Sequence, residues 1–274
     1  MAPSPDALTG ITGITVATDA RGIATVTLDR PDIHNAFDDV MIAALTRALH
    51  DLGADAAVRV VVLAGSGRSF SAGANLNWMK RMAGYSEAQN VEDALGLARL
   101  MHALYTFRKP TLARVHGPAF AGGLGLVACC DIAVAAPEAT FCLTEVRLGM
   151  IPAVITPYVV AAIGERQARR YCLTAEKFDA AEALRLGLVH EVVDAAALDA
   201  RIDALAGQLL LGGPGALAEC KAWVAEAAAR PIDEALVAES ARRIAALRAS
   251  PEGREGVTAF LEKRTARWVA EAKR

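Results

Sequence analysis

Residues 116–126 read HGPAFAGGLGL and follow an apolar run from Thr111 to Val115. Apolar residues continue after the glycines, so the pattern predicts a strand, a tight turn and a buried helix. The first amide groups of a helix have no partner within the helix and point outward. Because glycine lets another group approach the backbone closely, this turn predicts a place where main-chain amides meet a ligand oxygen.

A second turn has the same form. Residues 69–76 read SFSAGANL, after the continuous apolar run Val60 to Leu63 and before a helical pattern. Two such turns can aim amide groups at one carbonyl oxygen, which then becomes an enolate during the reaction. The pair therefore predicts carbanion chemistry beside a carbonyl group such as a thioester.

Strand and helix patterns alternate up to about residue 194, and helical patterns alone follow. We expect a flexible segment at residues 1–11, an α/β core at 12–194 and a helical region at 195–274. A cap at Asp38 predicts one helix, and the Ser250-Pro251 pair predicts another. The expected strands are Ile14 to Thr18, Ile23 to Leu28, Val60 to Leu63, Thr111 to Val115, Ile132 to Ala135, Thr140 to Leu143 and Leu188 to Val193.

The composition is that of an ordinary water-soluble enzyme. The 274 residues are 54% hydrophobic and carry a formal charge of −2, which gives no electrostatic footprint for nucleic acid. We expect a cytoplasmic protein, since no targeting signal and no membrane-spanning run is visible. The five cysteines are expected to be reduced thiols, and the five histidines lack metal-ligand spacing.

The same motifs can be compared with those of two other kinds of enzyme. Gly123, Gly125 and Ala128 fit G-x-G-x-x-A, and Glu145 lies 20 residues after Gly125, so a Rossmann dinucleotide site is an alternative. Against it, the motif lies in mid-chain, and no second half of a doubly wound sheet follows. Neither Ser69 nor Ser71 completes the G-x-S-x-G elbow of a serine hydrolase.

Eight short strings in register resemble the enoyl-CoA hydratase/isomerase (crotonase) family over about residues 12–270. They are LDRP at 28–31 with NAF at 35–37, FSAGA at 70–74, GG at 122–123 with CD at 130–131, EVRLG at 145–149 with IP at 151–152, LT at 173–174, AAEA at 180–183, GLV at 187–189 and FLEKR at 260–264. The resemblance implies a spiral of ββα repeats, followed by a helical region that forms trimers, usually paired into hexamers.

The same resemblance implies a coenzyme A thioester as substrate, and no metal or redox cofactor. By position, Ala74 and Gly122 would supply the oxyanion-hole amides, and Glu145 would be the catalytic glutamate. Phe260 and Lys263 would touch the adenine and phosphates of a CoA, often that of a neighbouring subunit. The residues expected to line the substrate are Asp32, Ile33, His34, Ala72, Gly73, Asn75, Leu76, Gly123 and Gly125.

The chain departs from the family pattern at three positions. Gly125 replaces a second catalytic glutamate, Ala121 replaces the first glycine of a triple glycine, and Asn75 replaces an aspartate. The first departure argues against a mechanism in which two glutamates hold the water. Glu145 alone is compatible with hydration, with double-bond isomerisation or with another enolate reaction.

Among family members, residues 75–82 (NLNWMKRM), 141–149 (FCLTEVRLG) and 151–160 (IPAVITPYVV) resemble bacterial methylglutaconyl-CoA hydratases of leucine breakdown. A sister group acts on the longer isohexenylglutaconyl-CoA. The resemblance predicts addition of water across C2–C3 of 3-methylglutaconyl-CoA. The distal carboxylate of this substrate should meet a cation, and sequence position suggests Arg147, the basic residue nearest to Glu145, or Lys80, which follows the first motif. A non-catalytic or RNA-binding relative is the alternative from another class.

Overall fold

The structure, a computed structural model, describes residues 13–271. Its main sheet is formed by six strands: β1 (Ile14–Thr18), β2 (Ile23–Leu28), β3 (Val60–Gly65), β4 (Thr111–Val115), β6 (Ile132–Ala135) and β9 (Glu191–Val192). β1 and β2 form the predicted hairpin, in which Ile14 pairs with Leu28 and Thr18 with Ala24. All other neighbours in this sheet are parallel.

The strand order of this sheet is β1-β2-β3-β4-β6-β9, so it runs in chain order from one edge to the other. A Rossmann sheet reverses its strand order at a switch point, where the dinucleotide binds. The sheet formed by residues 13–271 has no such reversal. The dinucleotide-binding alternative is therefore wrong for this fold.

A second, smaller sheet contains β5 (Ala119–Phe120), β7 (Thr140–Cys142) and β8 (Phe178–Asp179). β5 and β8 were not predicted, because two residues are too short to show a period of alternation. The strand predicted at Leu188 to Val193 is also shorter in the structure. The amides of Leu188 and Val189 donate back to the carbonyl of Ala183, at 2.9 and 3.3 Å, and so close the preceding helix instead.

Within residues 13–271, six α-helices precede β9 and five follow it. They are α1 (Asp39–Ala54), α2 (Leu76–Met82), α3 (Glu87–Tyr105), α4 (Gly122–Cys129), α5 (Thr156–Thr174) and α6 (Ala180–Leu186), then α7 (Leu198–Leu210), α8 (Pro214–Ala228), α9 (Glu234–Ala249), α10 (Pro251–Leu261) and α11 (Arg267–Glu271). Both predicted caps are present: Asp38 accepts from the amide of Met41 at 2.9 Å, and Ser250 accepts from the amide of Gly253 at 3.0 Å.

The main sheet is covered on both faces. One face packs in a large core with α1, α3, α4 and α5. The other face packs under α7, where Leu198, Ile202, Ala206 and Leu210 are buried. This burial explains why Val60 to Leu63 is a continuous apolar run rather than an alternating one.

The α/β fold class predicted from the sequence is confirmed. Residues 1–11, predicted to be flexible, lie outside the described residues, and the division at residue 194 with a trimer-forming tail stays a prediction. No helix between residues 13 and 271 is long and apolar enough to cross a membrane. Over the same range, no cluster of three or more His, Cys, Asp and Glu side chains could hold a metal ion. The five thiols are free.

Candidate active site

The first predicted turn, residues 69–75, is held by the segment that precedes α1. The side chain of Asn35, which is fully buried, donates to the carbonyls of Ser66 and Ser69 at 2.9 and 2.8 Å. The main-chain carbonyl oxygen of Asn35 accepts from the hydroxyl of Ser71 at 2.9 Å. Asn35 has a positive φ of 54°, which asparagine tolerates better than most residues. A buried amide thus fixes the loop before any ligand binds.

Ala74 lies opposite Phe37 in a single parallel bridge. The amide of Phe37 donates to the carbonyl of Gly73 and its carbonyl accepts from the amide of Asn75, each at 2.7 Å. In a parallel pairing the residue between these two bonds turns its own amide and carbonyl away from the partner. The amide of Ala74 has no protein acceptor within residues 13–271 and therefore remains available to a ligand.

The second predicted turn ends at Gly122, the first residue of α4. No side chain caps this helix, so the Gly122 amide is one of the unpaired N-terminal donors. Ala121 precedes it with φ 48° and ψ −120°, a conformation that favours glycine, and its amide donates to the carbonyl of Cys142 at 2.9 Å. Strained backbone of this kind is concentrated at ligand sites, since the surrounding fold must hold it in place.

The two turns are in backbone contact. The amide of Phe120 donates to the carbonyl of Ser71 at 2.9 Å, and the amide of Ser71 donates to the carbonyl of Pro118 at 3.1 Å. A β-carbon on Gly123 would lie 2.6 Å from the Ser71 carbonyl oxygen, and one on Gly73 would lie 3.0 Å from Cβ of Ala121. Glycine is required at both positions, because a side chain would separate the turns.

Glu145 begins a single 3-10 turn, Glu145–Leu148, directly after β7. Its Oε2 atom is buried and has no hydrogen-bond partner. Burial raises the pKa of this carboxyl above its usual value. The charged form is disfavoured because burial removes water from the carboxylate, and this effect outweighs the opposing hydrogen bond from the amide of Glu145 itself. A carboxylate in this state suits proton transfer near neutral pH.

The space beside Gly125 is filled by two apolar side chains. A β-carbon there would lie 2.3 Å from Cγ2 of Ile155 and 3.3 Å from Cε of Met101. A glutamate at this position would collide with Ile155. The sequence showed that the second glutamate is absent, but it gave no sign of the residue that occupies its space.

The other residues predicted to bind the thioester lie at the edges of the two turns. Asp32 and Ile33 are in a 3-10 turn, Pro31–Ile33, and His34 follows it with its Nδ1 atom 2.9 Å from the Ser69 hydroxyl. Asp32, His34 and Ala72 are exposed, and Leu76 is 74% exposed. Asn75 caps α2 by accepting from the amides of Asn77 and Trp78. The side-chain amide oxygen of Asn75 therefore caps the helix, as the carboxylate of the aspartate found here in the family pattern would.

Phe260 and Lys263 lie at the end of α10, which packs on α8 and α9. Phe260 is 82% exposed and Lys263 has a positive φ of 55°. Within residues 13–271, no hydrogen bond or ion pair joins either residue to the two turns. A role at the CoA stays a prediction, and it would require a neighbouring subunit.

Three cationic side chains are candidates for binding a charged group on the acyl chain. Arg147 and Lys80, named from the sequence, are exposed and make no ion pair within the described residues. Lys177, which sequence reasoning missed, also makes none, and its Nζ lies 5.2 Å from the ring centroid of Phe120. The two-residue strand β8 that places Lys177 gives no sequence signal.

The sequence profile described as "Enoyl-CoA hydratase/isomerase" matches residues 18–271. The crystal structure of an enoyl-CoA hydratase from Shewanella pealeana superposes with a TM-score of 0.91 at 44% identity, covering 93% of this chain and 96% of that one.

Two curated relatives extend this comparison. The crotonyl-CoA hydratase of Syntrophomonas wolfei is 33% identical over 90% of this chain and 95% of its own length. The 2,3-dehydroadipyl-CoA hydratase of Escherichia coli is 32% identical over 89% and 93%.

Proposed function

Because the chain belongs to the enoyl-CoA hydratase/isomerase family, we propose that it is a hydro-lyase that adds water across C2–C3 of 3-methylglutaconyl-CoA. The product is 3-hydroxy-3-methylglutaryl-CoA, as in leucine breakdown. The observation that carries the proposal is Glu145, whose buried Oε2 has no partner and whose pKa is raised by burial. The sister substrate isohexenylglutaconyl-CoA is the alternative with the same chemistry.

The thioester oxygen accepts hydrogen bonds from the amides of Ala74 and Gly122. Glu145 takes a proton from water while the water oxygen forms a bond to C3. The electron pair of the C2–C3 double bond moves toward the thioester, whose oxygen becomes enolate-like. Preorganised amides stabilise this charge because they need no reorientation when it develops.

Glu145 then returns its proton to C2 as the enolate collapses. One carboxyl group serves both steps, so it must be a base first and an acid afterwards. Ile155 fills the space of a second glutamate, and a one-glutamate mechanism is consistent with that packing. The same group could move a proton between C2 and C4, and double-bond isomerisation is therefore the second candidate.

Two features support a substrate with a second carboxylate. Arg147 lies two residues after Glu145 and makes no ion pair in the described chain. The name of the Escherichia coli relative refers to a thioester of a dicarboxylic acid. An acyl carboxylate in this region would find a cation without displacing an existing partner.

The remaining proposals concern assembly and surroundings. We propose a homotrimer, or a dimer of trimers, because Val257, Phe260 and Leu261 expose apolar side chains on α10. We propose that no metal or redox cofactor takes part, since amides and one carboxyl suffice for the steps above. We also propose a cytoplasmic enzyme that does not act on nucleic acid or membranes.

The test follows loss of the conjugated enoyl absorbance of 3-methylglutaconyl-CoA with wild type, Glu145→Gln and Glu138→Gln. Glu138 is exposed and makes no hydrogen bond or ion pair within residues 13–271, so it is the matched control. We expect Glu145→Gln to lose at least about 10²-fold in kcat and the control to keep wild-type activity. Turnover that survives in Glu145→Gln would contradict the mechanism.

The substrate is tested with the same proteins. If wild type turns over crotonyl-CoA but neither glutaconyl-type thioester, the enzyme is a hydratase of another acyl chain. If double-bond migration occurs without addition of water, the isomerase candidate replaces the hydratase.

A further inference from the structure

The small sheet places three side chains in one row. Phe120 in β5 pairs with Cys142 in β7, and the β7–β8 register, continued by one residue beyond Phe141 and Phe178, places Lys177 opposite Cys142. Residues directly opposite one another in a sheet project from the same face. The row therefore contains an aromatic ring, a buried thiol and an ammonium group.

This row is connected through the chain to both parts of the proposed active site. Phe120 is two residues before Gly122, and Cys142 is three residues before Glu145. The carbonyl of Cys142 accepts the amide of Ala121, so β7 is tied to the oxyanion turn at 2.9 Å. The end of the row at Lys177 is thus attached to the elements that would hold the thioester.

The ammonium group of Lys177 is held by an aromatic ring and has no carboxylate partner in the described chain. Its Nζ lies 5.2 Å from the ring centroid of Phe120, in a cation–π contact. Across the described chain no carboxylate lies within ion-pair distance of it. An ammonium group has three N–H donors. A carboxylate accepts hydrogen bonds from these donors, whereas the face of an aromatic ring leaves them available. The group is therefore held in place and remains free to bind an anion.

Charges of both signs meet near Cys142. Burial raises the pKa of the Cys142 thiol, Arg147 and Lys177 act against that rise, and Glu145 adds to it. Arg147 and Lys177 thus lie within electrostatic range of the region that contains Glu145. A substrate with a second carboxylate would be repelled by Glu145, and two unpaired cations offset that repulsion.

We propose that Lys177, positioned on Phe120 and assisted by Arg147, binds the distal carboxylate of a dicarboxylic acyl-CoA thioester. This assignment rests on the proposed function for its place in catalysis, but binding alone can test it. It makes Lys177 a specificity-determining residue rather than a catalytic one. Lys80 then has no part in recognition of the carboxylate.

The experiment measures the dissociation constants of glutaryl-CoA and pentanoyl-CoA by calorimetry. Their acyl chains have equal length and differ in a terminal carboxylate or methyl group, and neither can be hydrated. The proteins are wild type, Lys177→Met, Lys177→Arg, Lys80→Met and, as control, Arg166→Met. Arg166 is exposed on α5 and makes no ion pair in the described chain, so its variant removes the same charge elsewhere.

We expect wild type to bind glutaryl-CoA about tenfold or more tightly than pentanoyl-CoA, as a charge-assisted hydrogen bond allows. Lys177→Met should lose most of that preference while pentanoyl-CoA binding is unchanged. Lys177→Arg should retain part of it, and Lys80→Met and Arg166→Met should retain it fully.

Three results would overturn the assignment. They are the absence of a preference in wild type, a preference that survives in Lys177→Met, and an equal loss for both thioesters. The last would mean that Lys177 binds the CoA phosphates. Failure of the proposed function is distinct: wild type and Lys177→Met would then show no hydration of any enoyl-CoA, while the binding preference would still depend on Lys177.

Discussion

The side chain of Ile155 fills the space that a residue larger than glycine would need at position 125. A β-carbon on Gly125 would lie 2.3 Å from Cγ2 of Ile155, closer than two carbon atoms approach without displacement. Helix α4 and the start of α5 can therefore pack this closely only because position 125 has no side chain. Because Ile155 occupies this space, a glutamate could be introduced at position 125 only if Ile155 were also replaced by a smaller residue.

Gly125→Ala should destabilise the protein by about 1–3 kcal/mol, because overpacking forces neighbouring side chains from their rotamers. Gly96→Ala is the matched control in α3. A β-carbon there would lie 3.8 Å from Ile42, so this variant should be neutral or gain about 0.5–1 kcal/mol. Denaturant unfolding of both variants checks the pair, and equal stabilities would contradict the packing argument.

Glu145→Gln should raise the free energy of unfolding at neutral pH while lowering kcat by at least about 10²-fold. The raised pKa means that the native state binds a proton more readily than the unfolded state, so ionised Glu145 costs stability at higher pH. The cost begins to shrink as pH falls below the native-state pKa and is gone below the unfolded-state pKa. Thermal melts over a pH series should therefore show the advantage of the variant shrinking toward acid. An advantage that grows toward acid would contradict this sign.

The pH dependence of kcat/KM should have an acid limb above the ordinary glutamate pKa of 4.5. Glu145 must be ionised to take a proton from water, and burial raises the pH at which ionisation occurs. A profile for hydration of 3-methylglutaconyl-CoA measures this limb. The limb should be absent from the residual activity of Glu145→Gln and present in Glu138→Gln.

Gly122→Ala should lower kcat/KM by about 10²–10³-fold, as expected when one oxyanion donor is lost. A β-carbon on Gly122 would lie 2.6 Å from Cε2 of Phe37, whose backbone also aligns Ala74. The collision therefore moves both amides. Phe37→Leu in the same chain makes room, so the double variant should recover part of the loss. A double variant no better than Gly122→Ala would argue against this contact.

Ala121→Gly should raise the free energy of unfolding by about 0.5–1 kcal/mol and leave kcat unchanged. The residue has φ 48° and ψ −120°, which glycine adopts without the steric cost of a β-carbon. Ala175 also has a positive φ of 48° but lies outside the two turns, so Ala175→Gly separates relief of strain from effects on the site. A lower free energy of unfolding for Ala121→Gly would show that the alanine methyl group stabilises the fold by more than the backbone strain costs.

The fold class, most of the longer helices and strands, and the two turns could be predicted from the amino-acid sequence. These depend on local patterns: β-branched runs, caps such as Asp38, and glycines where the backbone must be approached. The sequence also indicated Glu145 through its surroundings in the chain. Its buried, unpartnered state was not visible, because burial is a property of neighbours from other segments.

Contacts between residues far apart in the chain became known only from the three-dimensional fold. Ile155 beside Gly125, Phe37 beside Gly122 and Lys177 beside Phe120 are contacts between segments that share no periodic pattern. The two-residue strands β5 and β8 form because larger elements bring them together, since two residues are too few to specify a strand locally. The electrostatics of the site has the same origin: a charge is paired or unpaired according to its neighbours in space, which sequence separation does not fix.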